Sequence, residues 1–195
     1  LKPPPPMDLQ AEVEVVDVEE DTGPEFNCHD IPQGPFELVR MTGVIASEDL
    51  AFDSQGFVVG SDNKVIFKSD IAGNSHIFSP NMEFRAGLAM LPNGWLVVND
   101  NELNRLVKID PGGVQYTLLT GLDYPNGIAV DMQGYIYITE EYANRVLRVH
   151  SYTGEYTVLT NAISHPNGIC FNKDYTGLYI GSFGGGGWVY YMSLS

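Results

Sequence analysis

The sequence predicts an all-β chain, a β-propeller of about three and a half four-stranded blades. Two observations predict it. One phrase recurs four times, as Glu48-Asp49-Leu50-Ala51-Phe52, Ala86-Gly87-Leu88-Ala89-Met90, Asn126-Gly127-Ile128-Ala129-Val130 and Asn167-Gly168-Ile169-Cys170-Phe171; its anchors Leu50, Leu88, Ile128 and Ile169 stand 38, 40 and 41 residues apart. After a turn, each phrase is followed by a second hydrophobic run: Phe57-Val58-Val59, Trp95-Leu96-Val97-Val98, Tyr135-Ile136-Tyr137-Ile138 and Leu178-Tyr179-Ile180. A fixed period near this length, built from short strands, marks propeller blades.

Residues 1–45 differ from the rest and form an N-terminal extension. Lys2-Pro3-Pro4-Pro5-Pro6 reads as an extended polyproline tail. Ala11 to Val18 alternates apolar and acidic residues, as a half-exposed strand does, and such a strand is suited to closing a last blade. Residues 46–195 carry the blades. First strands end at turns such as Asp53-Ser54-Gln55-Gly56, Pro92-Asn93-Gly94 and Asp131-Met132-Gln133-Gly134, where glycine supplies a positive φ. Third strands begin at Asn63-Lys64-Val65, Asn104-Arg105-Leu106 and Asn144-Arg145-Val146. Fourth strands follow Gly112-Gly113 and Thr153-Gly154 in the second and third repeats. The fourth repeat reaches only its third strand. A closed propeller has about four to eight blades, and an open arc exposes a strand edge and a blade face. Completion by a second polypeptide, or by self-association, is therefore expected.

Hydrophobic residues make up 44% of the chain and aromatics 11%, which excludes wholesale disorder. No apolar run approaches the roughly 18 residues of a membrane span. Net charge is −15, from 25 acids against 10 bases. Such a surface repels phosphate backbones, so nucleic acid and anionic membranes are poor partners, whereas divalent cations are drawn to it. Cys170 lies inside an apolar phrase and reads as a small buried hydrophobe. Cys28, in the polar stretch Phe26-Asn27-Cys28-His29-Asp30, suits a disulfide better than a core. No signal-peptide apolar segment opens the chain, as in a mature secreted protein. The expectation is a secreted or periplasmic location.

In a propeller the innermost strand of every blade begins at one mouth of the axial channel, so residues at one repeat position converge there. Here that position holds Glu48, Ala86, Asn126 and Asn167. A carboxylate and two amide carbonyls are what a hard cation takes, calcium or another divalent ion, with water completing the shell. The competing explanation is that Asn126 and Asn167 only shape Pro-Asn-Gly turns.

Ser47-Glu48-Asp49-Leu50 followed by Asp53-Ser54-Gln55-Gly56 resembles the first-blade phrase of paraoxonases. Pro125-Asn126-Gly127-Ile128 and Pro166-Asn167-Gly168-Ile169 resemble later blade starts of paraoxonases, gluconolactonases (regucalcin-like, SMP-30-like) and strictosidine-synthase-like proteins. The resemblance spans about residues 45 to 195. It implies a six-bladed ring with calcium in the channel, catalytic-metal ligands at Glu48, Asn126 and Asn167, and a second, structural calcium ligand at Asp49. The chain departs from the pattern where paraoxonases place a dyad histidine, since Ala86 stands there. Of the gluconolactonase Arg/Asn sugar-binding pair only Arg85 is present, and Gly127 replaces an acid expected at the second calcium.

Further candidates are fewer. His165 precedes Pro166-Asn167 and is the one nearby candidate base. Glu140, in Glu140-Glu141-Tyr142, and Arg85 are candidates to line the substrate mouth, although solvation is the simpler account of the two acids. Ser182 to Gly187 lacks the GK[ST] ending of a phosphate loop, and no G-x-S-x-G elbow occurs. The expected function is divalent-metal-dependent hydrolysis of lactones or esters, a small-molecule substrate being polarised by the ion. Two alternatives stand beside it. Asn104-Arg105 and Asn144-Arg145 resemble NHL repeats, which implies a non-catalytic ligand- or protein-binding propeller with structural calcium. A strictosidine-synthase-like condensing enzyme needs an acid in a later blade.

Overall fold

The computed structural model describes residues 43–44, 49–62, 64–82, 87–184 and 186–194. The stretch 11–18, Cys28, Glu48 and Arg85 lie outside the described residues. The described residues form fifteen strands and no helix. The first blade contains β1 (Leu50–Phe52), β2 (Val58–Ser61), β3 (Ile66–Ser69) and β4 (Ser75–Ser79). The second contains β5 (Leu88–Met90), β6 (Leu96–Asp100), β7 (Arg105–Ile109) and β8 (Gln115–Thr120). The third contains β9 (Pro125–Val130), β10 (Tyr135–Glu140), β11 (Arg145–His150) and β12 (Tyr156–Thr160). The fourth has β13 (Pro166–Phe171), β14 (Gly177–Ser182) and β15 (Val189–Ser193). Each blade is a separate antiparallel sheet with its strands in chain order. The arc is therefore three complete blades and a three-stranded fourth.

Side-chain hydrogen bonds set the hairpins. Asp53 Oδ1 accepts from the backbone N–H groups of Gln55 and Phe57, both at 2.9 Å. Asp131 Oδ1 does the same for Gln133 at 3.0 Å and Tyr135 at 2.8 Å. In both turns the following glycine takes a positive φ, 87° at Gly56 and 85° at Gly134. The side chain thus closes a turn that the glycine backbone alone permits.

The core lies between blades. Val59 and Ile66 of the first blade pack with Leu88, Leu96, Val98 and Val107 of the second. Val97 and Leu106, on the other face of that second blade, pack with Ile128, Ile136, Ile138 and Leu147 of the third. Tyr137 and Val146 then meet Leu178, Ile180, Ile169 and Phe171 of the fourth. Middle strands are buried on both faces, which is why they read as unbroken hydrophobic runs.

The two end faces differ. Leu50 and Phe52 on the first blade, and Tyr179, Val189 and Tyr191 on the fourth, are exposed. Cys170 is exposed as well, which corrects the expectation of a buried thiol. It alternates with Ile169 and Phe171, which take the face toward the third blade. Among the described residues no further blade covers the face it shares.

Around the axis the blade starts almost touch. Gly87 N–H donates to Asn126 O at 2.9 Å, across the seam between second and third blades. A Cβ on Gly87 would lie 2.8 Å from that oxygen and 2.7 Å from Ile128 Cγ2, and one on Gly127 would overlap the Asn167 carbonyl oxygen. A Cβ on Gly168 would meet nothing within 4 Å. Gly127→Ala is therefore expected to lower stability by about 1–3 kcal/mol. Gly168→Ala should stay within about 0.5 kcal/mol. Thermal unfolding of the two variants checks this; equal melting temperatures would contradict the close approach.

Candidate functional site

The two Pro-Asn-Gly phrases sit in bulges. β9 pairs with β10 as Ile138 with Ile128 and then Glu140 with Pro125, so one extra residue of β9 is looped out around Asn126-Gly127. β13 repeats the slip on β14, from Ile169 opposite Ile180 to Pro166 opposite Ser182. A bulge re-aims the side chains it contains. Both asparagines consequently leave the alternation of their strands at the same end of their blades.

Two buried side chains from second strands stitch these bulges to the neighbouring blade. Asn99 Nδ2 donates to Asn126 O at 2.9 Å and Gly127 O at 3.1 Å. Thr139, at the same position one blade later, accepts from Gly127 N at 2.8 Å and donates to Asn167 O at 2.6 Å. Both residues are fully buried. Asn99 Oδ1 is buried with no partner among the described residues.

One carboxylate then gathers the asparagine side chains. Glu141 is only 8% exposed, and its Oε2 accepts from Asn126 Nδ2 at 3.1 Å and from Asn167 Nδ2 at 3.3 Å. Only the NH₂ end of an amide can donate to a carboxylate, so Glu141 fixes the orientation of both amides. Each Oδ1 is turned away from Glu141, and among the described residues neither accepts a hydrogen bond. Two free amide oxygens beside a buried carboxylate form a donor set suited to a hard cation.

The loops that carry this cluster are themselves anchored. Glu140 is fully buried; it accepts from Arg145 Nε, from Arg145 Nη2 at 3.0 Å and from Asp123 N at 2.7 Å. The bond from Glu140 is the main cause holding the Arg145 guanidinium above its ordinary pKa, while burial opposes it. Asp100 and Arg105 repeat the pair one blade earlier, with Nε to Oδ2 at 2.7 Å. Asn104 Oδ1 accepts from Tyr124 N at 2.9 Å, and Asn144 Oδ1 accepts from His165 N at 2.8 Å. Tyr124 and His165 immediately precede the two prolines and have positive φ, 56° and 48°. Non-glycine residues hold such a backbone only where neighbours enforce it. Each Asn-Arg phrase therefore braces the next blade's Pro-Asn-Gly phrase.

Sequence-predicted residues are distributed as follows. Asn126 and Asn167 come together, and Glu48 and Arg85 lie outside the described residues. Asp49 Oδ1 accepts from Leu50 N at 2.8 Å and Oδ2 from Leu88 N at 3.4 Å, so it ties the first blade to the second. His165 is exposed, with Nδ1 2.9 Å from Ser164 Oγ and no hydrogen bond to Asn126, Asn167 or Glu141. The solvated account of Glu140-Glu141 is corrected, because both side chains are buried. Glu140 is consumed by Arg145, and Glu141 reaches the asparagines. The signal for Glu141 was the doubled acid itself: one carboxylate answers the arginine five residues on, leaving the second unassigned.

Neither a protein-family model nor a curated protein sequence matches the chain. Solved structures do. A gluconolactonase from Xanthomonas campestris matches with a TM-score of 0.69 at 18% identity, over 76% of this chain and 58% of that one. A chain of the nidogen–laminin complex matches with a TM-score of 0.64 at 21% identity, over 75% and 60%. Virginiamycin B lyase from Staphylococcus aureus matches with a TM-score of 0.58 at 18% identity, over 75% and 55%. At these identities the likeness establishes the fold alone, a β-propeller arc. The chain spans a little over half the length of these neighbours.

Removing Arg145 would strand the Glu140 carboxylate in a dry site. Arg145→Met is expected to cost about 3 kcal/mol, read as a lower midpoint in urea denaturation. An unchanged midpoint would show that the buried pair does not hold the loop.

Proposed function

We propose that the protein is a divalent-metal-dependent hydrolase of lactones or esters that acts at the mouth formed by the blade starts. The observation that carries the proposal is the single buried Glu141 carboxylate orienting both Asn126 and Asn167. The two Oδ1 atoms, with Glu48 from the in-phase position of the first blade, would hold a hard cation such as calcium. The chemistry supplied there is Lewis-acid polarisation of a substrate carbonyl and stabilisation of the oxyanion that forms.

The chain's own residues have separable parts in this. Glu141 holds both amides by their NH₂ ends and places a negative charge beside them, which favours cation capture. Asn99 and Thr139 fix the backbone of the two bulges, so the ligand spacing is set before binding. The exposed His165 ring is the side chain offered as proton acceptor for an attacking water. The gluconolactonase likeness supports a propeller capable of lactone chemistry, at the level of fold.

A non-catalytic binding propeller is the second reading. It is favoured by Ala86, which leaves the second-blade start without a base. Arg105 and Arg145 are also held in ion pairs within their own blades, as scaffold rather than as substrate contacts.

Hydrolysis of a panel of lactones and aryl esters by the full chain, with chelator and with calcium restored, tests the proposal. Activity should vanish on chelation, return with calcium and be lost in Asn126→Ala. Glu141→Gln should weaken calcium affinity about 10–100-fold, by calorimetry. Calcium binding without hydrolysis would favour the binding module. Hydrolysis indifferent to chelator and to Asn126→Ala would overturn the metal-dependent reading.

A further inference from the structure

Both mouth bulges carry an asparagine followed by glycine, and both read Pro-Asn-Gly-Ile. Such a pair is chemically labile, because the glycine nitrogen lies within reach of the asparagine carboxamide and no Cβ on the glycine obstructs its approach. In a folded chain the restraint is the hydrogen bonding of the peptide unit between the two residues. Attack on the carboxamide carbon requires that unit to turn and its N–H to be given up.

The two bulges differ in this restraint, although their local sequences do not. The Asn126–Gly127 unit is held at both ends. Asn126 O accepts from Gly87 N and from Asn99 Nδ2, each at 2.9 Å, and Gly127 N donates to Thr139 Oγ1 at 2.8 Å. Asn99 lies in the second strand of the preceding blade, and Thr139 in the second strand of the same blade. For the Asn167–Gly168 unit the preceding-blade side chain is in place, since Thr139 donates to Asn167 O at 2.6 Å. The side chain from its own blade is not. By ladder register Gly181 stands where Thr139 does, opposite the bulge, and it has no hydroxyl to take the Gly168 N–H. A Cβ on Gly181 would lie 4.0 Å from Gly168 N, which marks the place of the missing side chain. The amide ends are otherwise alike, because Nδ2 of each asparagine donates to Glu141 Oε2.

We propose that Asn167 is a site of spontaneous deamidation and that Asn126 is protected from it by Thr139. The Gly168 nitrogen attacks Asn167 Cγ and forms the new C–N bond of a cyclic imide. The Cγ–Nδ2 bond breaks, and Nδ2 leaves as ammonia with the proton that the glycine nitrogen gave up. Water then opens either imide carbonyl, so one water is consumed and the product is aspartate or isoaspartate. At the mouth this exchanges an N–H donor to Glu141 for a second carboxylate. Two like charges then share a site that an amide had bridged, and a divalent cation offsets both. That consequence rests on the cation reading of the mouth, whereas the conversion itself does not.

Ageing the folded full chain in mildly alkaline, calcium-free buffer, followed by digestion and mass spectrometry, tests the proposal. The Asn167 peptide should gain the amide-to-acid mass increment at least about tenfold faster than the Asn126 peptide. Two substitutions move the hydroxyl. Gly181→Thr supplies it in the fourth blade and should slow conversion of Asn167 by about threefold or more. The added Cβ has room, its nearest neighbour being 3.8 Å away. Thr139→Val removes the hydroxyl in the third blade and should speed conversion of Asn126 by a similar factor. The wild-type comparison is made within one folded chain, so it decides even where a variant fails to fold. Equal rates at the two asparagines, an Asn167 that stays intact, or a folded Gly181→Thr variant with an unchanged rate would overturn the proposal. These rates are read without calcium, so failure of the metal reading shows separately, in calorimetry.

Discussion

The close approach of consecutive blade starts is the constraint on which the rest of the arc depends. Gly87 and Gly127 lack a Cβ where the carbonyls of Asn126 and Asn167 pass, and no side chain fits in that gap. The requirement is one of packing, yet it also decides chemistry. Each glycine lets the next blade's asparagine come close, and two successive asparagines fall within reach of one carboxylate. A wider axis would leave Glu141 able to hold one amide at most. Gly168, with open space beside it, marks where the series of contacts ends among the described residues.

Hydrophobic packing between blades is strong but undirected, and it would tolerate a small slide of one sheet on the next. The buried polar layer near the axis does not. Asn99 and Thr139 each satisfy their hydrogen bonds with the backbone of the following blade, and both are sealed from water. A slide of one residue would leave these groups unpaired in a dry interior, at about 1–3 kcal/mol each. Blade register is thus held by a few polar groups working inside a larger apolar interface. Asn99 Oδ1, which has no partner among the described residues, is the exception.

The repeat made the fold legible, because strands buried on both faces have to be written as hydrophobic runs and their turns as Asp, Asn and Gly. It also picked out Asn126 and Asn167, which occupy the same phase of two blades. What it could not show was anything that happens once. Glu141 has no counterpart acid in the second or fourth repeat, so phase alignment is silent about it, and its burial follows from the bulges rather than from its own strand. Cys170 fails for a related reason. Its counterparts Ala89 and Ala129 are half-buried against the next blade. The same phrase in the fourth repeat has nothing described beyond it, so an identical pattern gives an exposed thiol.

The two ends of each blade can therefore be treated as separate devices. A six-residue strand such as β9 covers about 20 Å, enough to put Asn126 at the mouth and Asp131 at the far seam. At the mouth, Asn126 and Asn167 stand in phase, and both leave the alternation of their strands at a bulge. At the other end, Lys68 and Lys108 share one repeat position, and the partner changes from the Asp53 carboxylate of the same blade to the Ser151 carbonyl of the next. Of these two half-buried lysines, Lys108 is the one that serves blade-to-blade contact. Ligand chemistry at the mouth can vary without disturbing that contact.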